Sequence, residues 1–320
     1  MNHSWDRLIQ GIKERDVRAM SRLITRVENR ECGWRAAMSE IYSMAGESLV
    51  IGITGSPGAG KSTLTCEIAR ELSKKSRSVG IIAVDPSSPF SGGALLGDRL
   101  RMQEIFTIPE IFIRSMATRG MLGGLCQGAR DVVRIMSAFG KDIILIETVG
   151  VGQDEIEIVR TADQVMVVLV PGQGDGIQAI KAGVMEIADL YVINKSDRPG
   201  ADEVVADVQG MLSLSTASWE SLPPVMKTSA IKREGVRALV ETLLYRSLET
   251  KEKKNHQEFQ VKEEILSLME REVFRHIRNR WEQDERLKAY TSLVMEKRSD
   301  PYSIVKQMLE DQAYLLIDNN

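Results

Sequence analysis

Two short stretches of this sequence carry residue types at spacings that chemistry can use. The first is Gly55-Ser56-Pro57-Gly58-Ala59-Gly60-Lys61-Ser62-Thr63, which fits G-x-x-x-x-G-K-[ST] with Gly55, Gly60, Lys61 and Ser62 on the fixed positions. Glycines there let backbone N–H groups turn inward around a phosphate, and a following helix adds the positive end of its dipole. In that arrangement Lys61 reaches the β- and γ-phosphates of a nucleotide and the Ser62 hydroxyl ligates magnesium. The second stretch is Asn194-Lys195-Ser196-Asp197, about 130 residues later. A carboxylate at Asp197 can accept hydrogen bonds from both the ring N–H and the 2-amino group of guanine, and adenine offers neither. Ser229, Ala230 and Ile231 follow the next apolar run, where backbone N–H groups can meet the guanine carbonyl oxygen. Read together, the stretches predict GTP or GDP with Mg2+ as the bound species, and count against ATP.

The remaining candidates are acids and amides near glycines. Glu147 ends the apolar run 142–147 and is followed by Thr148-Val149-Gly150, the form of a metal-side carboxylate with a glycine placed near a γ-phosphate. A glutamine directly after such a glycine could orient the attacking water, but Val151 stands there and the nearest glutamine is Gln153. Slow intrinsic hydrolysis, raised by a bound partner, is the expectation. Asp85 opens a Pro-, Ser- and Gly-rich segment that runs to Gly97-Asp98-Arg99. Asp85 or Asp98 is expected to face the metal, directly or through water; turn formation is the plainer role for each. The catalytic set is therefore Lys61, Glu147, Gln153 and Asp98, and the metal set Ser62, Asp85, Asp98 and Glu147.

These residues need a frame. Apolar runs at 49–54, 79–84, 111–114, 142–147, 164–170, 190–194 and 224–228 read as strands, most of them continuously apolar. Strands covered on both faces look like this, so a mostly parallel sheet with helices on each side is predicted, an α/β fold of the P-loop NTPase kind. Ligands of such sheets bind at the carboxyl ends of the strands, where the polar candidates fall. Leu64, Ile68 and Leu72 mark a helix behind the glycine-rich loop. Residues 1–46 read as a helical extension, with apolar clusters at Leu8, Ile9, Ile12 and at Met20, Leu23, Ile24, Val27 that suggest a pair of helices. Residues 47–250 form the nucleotide-binding domain. Residues 251–320 change character, with 13 basic and 14 acidic residues, and carry helical stripes at Val261, Ile265, Leu268, Met269, Val273, Ile277 and at Ile304, Val305, Met308, Leu309. This region is expected to pack on itself or on a second copy as a dimerisation region.

Composition narrows the partners. The chain has 320 residues, 43% hydrophobic, with a net charge of −3. No basic bias suggests a nucleic-acid partner. No apolar run is long enough to span a bilayer, and the polar start has no signal-peptide character. Three widely spaced cysteines, Cys32, Cys66 and Cys126, fit a reducing compartment, so a cytoplasmic location is expected.

Beyond single motifs, Asp85-Pro-Ser-Ser-Pro-Phe-Ser-Gly-Gly-Ala, Gly97-Asp98-Arg99, Ile113-Arg-Ser-Met-Ala-Thr-Arg-Gly120, Leu122-Gly-Gly-Leu125, Glu147-Thr-Val-Gly-Val-Gly-Gln153 and Asn194-Lys-Ser-Asp197 together resemble the ArgK/MeaB/methylmalonic aciduria type A family. Ile24-Thr-Arg-Val-Glu-Asn29 and Asp300-Pro-Tyr302 extend the resemblance into both ends. It implies a P-loop GTPase related to the metal-insertion GTPases, acting as a chaperone for an adenosylcobalamin-dependent mutase such as methylmalonyl-CoA mutase. GTP would gate cofactor delivery and protection, with an adenosyltransferase as a further partner and a homodimer formed through the C-terminal helices. The family's switch residues map onto Asp85, Asp98, Glu147, Gln153, Gln178 and Lys181. The segment Gln103-Glu-Ile-Phe-Thr-Ile-Pro109 departs from the family's usual His-Ala pair and acidic stretch. Two alternatives stay open: an ArgK-type kinase of periplasmic amino-acid-binding proteins, and a metal-insertion GTPase. Against the latter, His3, His256 and His276 all lie outside 47–250, and no C-x-C or C-x-x-C occurs.

Overall fold

The computed structural model describes residues 3–86, 102–118, 124–148, 161–172, 188–213, 222–247, 250–282 and 285–317. Within the described residues the chain falls into two compact units, 1–257 and 258–320.

The first unit is built on seven strands: β1 (Leu49–Gly55), β2 (Val79–Pro86), β3 (Ile111–Thr118), β4 (Ile143–Glu147), β5 (Gln164–Leu169), β6 (Leu190–Ile193) and β7 (Val225–Lys227). They form one sheet in the order β3-β2-β4-β1-β5-β6-β7, every pairing parallel. All seven expected strands are therefore present. Strands β1, β4, β5 and β6 are buried at every position, which is why their sequences run apolar instead of alternating. Parallel pairing sends every strand's carboxyl end to one edge. In register there, Ile53 stands beside Glu147, Gly55 beside Val168, Leu169 beside Ile193 and Ile193 beside Lys227.

One sheet face, with Ile51, Ile53, Ile81, Leu145 and Met166, packs on Leu64, Ile68 and Leu72 of α4 (Lys61–Lys74) and on Leu239, Val240 and Leu243 of the helix Val236–Arg246. Each such fully buried aliphatic side chain contributes on the order of 1.5–3 kcal/mol. The opposite face, with Val50, Ile82, Ile144 and Ile146, meets α5 (Gly124–Phe139) and the amino-terminal helices. Further along that face, Val167, Leu169 and the buried Tyr191 pack on α6 (Ala201–Ser213).

The amino-terminal segment holds three helices, not the expected pair: α1 (His3–Lys13), α2 (Val17–Glu28) and α3 (Trp34–Met44). Asp16 caps α2 by accepting from the Arg18 N–H at 2.8 Å. Met20, Leu23, Ile24 and Val27 are buried almost completely, against α1 and α5. Arg30 joins the segment to Asp131 of α5 through a 2.7 Å ion pair, and Arg114 of β3 pairs with Glu28.

From Val236–Arg246, numbered α7, the chain continues into α8 (Thr250–Glu282), in which the boundary between the units falls, then α9 (Glu285–Met295) and α10 (Pro301–Ile317). Most of the stripe expected on α8 is open in the single chain: Val261, Ile265, Met269 and Val273 are exposed, as is Phe274, while Leu268 and Ile277 are half-buried. Among the described residues no helix is long and apolar enough to cross a membrane.

Candidate nucleotide site

At the carboxyl edge of the sheet, β1 runs straight into the loop that the glycines predicted. Gly55 leaves the strand at φ +139°, and a Cβ there would sit 2.2 Å from the Val168 carbonyl oxygen, so neither the conformation nor the space admits a side chain. The loop turns through Ser56, Pro57 and Gly58, buries Ala59, and hands over to α4 at Gly60, which caps the helix in the left-handed conformation. Lys61 therefore opens the helix. Its side chain is nearly buried and curls over the loop, donating to the Gly55 carbonyl at 2.7 Å and the Ser56 carbonyl at 3.1 Å. An ammonium group and a helix amino terminus thus converge on one short loop, which is the charge pattern a polyphosphate requires. Thr63, in the first turn of α4, is exposed.

Behind the loop, the Ser62 hydroxyl donates to Glu147 Oε1 at 2.6 Å, and both residues are buried. The tip of β4 and the first turn of α4 supply this pair, which is 85 positions apart in the chain. Hydroxyl and carboxylate oxygens are the donors a hard divalent cation takes, so the pair fits magnesium. Beside them, Thr148 Oγ1 lies 3.4 Å from Thr54 Oγ1. Cys66, one turn further along α4, has its thiol pushed up to about 12 by burial and then by the negative charges of Glu147 and Glu67; it stays protonated and inert. Asp85 stands on β2 at the same sheet edge, though nothing is described of its side chain. Asp98, Gln153, Gln178 and Lys181 lie outside the described residues, as do Gly150 and Val151.

The third component follows β6. Asn194 is buried, and its side chain holds three elements together. Its Nδ2 donates to the Ala59 carbonyl at 2.9 Å, and its Oδ1 accepts from the Ala230 N–H at 3.1 Å and the Thr228 hydroxyl at 3.3 Å. Lys195, with φ +55°, sends its Nζ to the Gly58 carbonyl at 2.7 Å. Asp197 stands free of the sheet, and the Ser229 hydroxyl donates to its Oδ1 at 2.7 Å. That hydrogen bond, with Lys232 at 3.9 Å adding a smaller effect, holds the Asp197 carboxyl below its ordinary value. It stays ionised and fixed in direction, as a two-point acceptor must. Ala230 is buried with its N–H pointing into the corner, whereas Ile231 is largely exposed.

The structure also brings in residues that no motif marked. Glu67, buried on α4, pairs with Arg70 at 3.1 Å and with Arg233 at 3.0 Å, and Arg70 reaches Glu104 at 3.1 Å. This chain of ions ties the loop after β7 to the helix behind the phosphate loop and on to the 103–109 segment. No sequence pattern marked Glu67, because its helix neighbours Arg70, Glu71 and Lys74 are charged as well.

The sheet order, the glycine loop with its lysine, and the Asn194–Asp197 corner define a P-loop GTPase. Residues 20–284 match the family described as methylmalonyl Co-A mutase-associated GTPase MeaB, and the chain belongs to that family. A Pyrococcus abyssi protein named as a GTPase is 45% identical over 316 residues, covering 96% of each chain. GTPase ArgK of Escherichia coli is 36% identical over 238 residues, 71% of each. Among solved structures, one titled LAO/AO transport system kinase superposes with a TM-score of 0.70 at 26% identity, covering 98% of this chain and 99% of that one. Hydrolysis of GTP is accordingly the activity of this chain.

Proposed function

We propose that this GTPase serves an adenosylcobalamin-dependent mutase of the methylmalonyl-CoA type, gating cofactor delivery and protecting the mutase. The family description, which names association with that mutase, carries the reading. The guanine corner supports it: a switch that reports GTP needs a base reader in place before nucleotide arrives, and Asn194, Asp197, Ser229 and Ala230 are already bonded into one.

In this reading Lys61 and the amides of 55–63 hold the phosphates by charge and direction. Catalysis is then mostly positioning and electrostatic stabilisation. Magnesium, when bound, neutralises charge on the β- and γ-phosphate oxygens. Ser62 and Glu147 would hold it, with Asp85 or Asp98 reaching the same ion. Gln153 would orient water, and its displacement from the position after Gly150 makes unaided turnover slow until the mutase binds. The exposed stripe Val261, Ile265, Met269 and Val273 on α8 would close a homodimer.

The test is a pull-down from the cell's own extract with GDP, GTP and a slow-hydrolysing analogue. Recovery of a cobalamin-dependent mutase, with strength that follows the nucleotide, is the expected result. The solved relative's title favours a second reading, phosphoryl transfer to a protein. Labelled γ-phosphate appearing on an amino-acid-binding protein, with no mutase recovered, would replace the first reading by that one.

A further inference from the structure

Between α1 and α2 lies a cavity of about 630 Å3. Its size is that of a small-molecule pocket. It belongs to the amino-terminal helices, which cover the sheet face opposite α4, so it is separate from the phosphate loop. Three arginines line it, Arg7, Arg22 and Arg26, together with the hydroxyl-bearing Ser4, Ser21 and Thr25 and the apolar Leu8. The spacing of these residues explains their convergence. Positions 4 and 7 of α1, and 21, 22, 25 and 26 of α2, fall at three- and four-residue steps along neighbouring faces of two packed helices.

Among the described residues no carboxylate lines the cavity. Two nearby acids are already paired: Glu31 takes Arg26 at 2.7 Å, and Glu28 is bonded to Arg114. Arg26 is also fixed in place, stacked 4.0 Å over Trp5 and donating to Ser4 Oγ at 2.6 Å. Arg7 and Arg22 are exposed and enter no ion pair among the described residues. Two arginines without an ion pair among the described residues therefore line the cavity beside the paired Arg26, and its other polar residues carry hydroxyls. Planar N–H forks match phosphate oxygens in pairs, and hydroxyls supply further donors. The volume exceeds that of one phosphate group, and the aliphatic stems of the arginines give its walls an apolar share.

We propose that this cavity binds a small organic phosphate, with Arg7 and Arg22 as its principal anion ligands and Arg26 as a fixed third. The site is distinct from the GTP site and independent of the mutase reading.

The full-length protein, saturated with magnesium and a non-hydrolysable GTP analogue so that the phosphate loop is filled, is titrated calorimetrically with inorganic pyrophosphate and with glucose 6-phosphate. One saturable event per chain is expected. It should weaken at least about tenfold in an Arg7→Glu, Arg22→Glu double variant, because each lost fork removes a charge-assisted pair. It should also weaken in the milder Arg7→Gln, Arg22→Gln variant, while GTP turnover stays as in the wild type in both. Absence of saturable binding, or equal binding by the charge-reversed protein, overturns the proposal. So does tighter binding of a polyglutamate peptide than of pyrophosphate, which would make the cavity a dock for an acidic protein segment.

Discussion

The corner after β6 and the loop after β1 face the same cleft but are assembled by different means. In the corner, one buried amide, that of Asn194, bonds to the loop at Ala59, to the segment after β7 at Ala230, and to Thr228 beneath it. In the loop, the fixed features are glycine conformations and a lysine whose bonds run to carbonyls of the loop itself, Gly55 and Ser56. The corner is thus a junction between elements, and the loop is a local device. Removing the lysine side chain from the loop should take away chemistry and spare the fold, whereas removing the amide at the junction should cost both.

The largest effect should come from Lys61→Ala. GTP turnover is expected to fall about 10^2–10^3-fold, the size of losing one preorganised charge donor, with the melting temperature moving by no more than about 3 °C. Normal turnover would contradict the role given to Lys61, and a large drop in melting temperature would erase the contrast between the two regions. Asn194→Ala comes next. It leaves the Ala59 carbonyl and the Ala230 N–H without their buried partner, so urea unfolding of the nucleotide-free protein should show a loss of about 2–4 kcal/mol. If stability is unchanged while nucleotide binding alone fails, the corner is no junction.

Asp197→Asn should act on binding only. Calorimetry is expected to show GDP affinity reduced about 10–100-fold, since hydrogen bonds to a charged group are lost, and a relative gain for xanthine nucleotides, whose 2-oxo group can accept from the new amide. Equal losses for both bases would remove Asp197 from base recognition. The smallest effect is that of Ser229→Ala. The Ser229 hydroxyl holds the Asp197 carboxyl low, so the wild-type carboxylate persists as pH falls through the ordinary aspartate value. Without that hydroxyl the carboxyl titrates at higher pH, and the acid edge of GDP binding should move upward. An edge that stays put, or moves down, would assign the shift to another group.

Much of this frame was legible because its signals are local. Continuous apolar runs gave the seven strands, and parallel pairing then placed the polar residues at their ends on one edge. The loop and the Asn194–Asp197 corner are recognisable from spacing alone. Helix α3 was harder. It opens at Gly33 without a side-chain cap, and its buried face, Ala37, Met38 and Ile41, includes one very small residue. The ion chain Glu67–Arg233 joins residues 166 positions apart, and no local pattern announces it. The stripes on α2 and α8 make the same point. Both show apolar residues at helical spacing, yet Leu23 and Ile24 are wholly covered whereas Ile265 is 60% exposed. Periodicity shows that a helix has an apolar face; what covers it is a tertiary fact.

One contact makes the loop and the corner inseparable at a single position. A Cβ on Gly60 would lie 2.6 Å from Asn194 Nδ2. Any bulkier residue there would jam the amide that braces the neighbouring pocket, and the injury would surface as blurred purine choice as well as poor triphosphate grip. Inherited lesions at this glycine should therefore look like damage to two sites at once, although only one atom has been added between them.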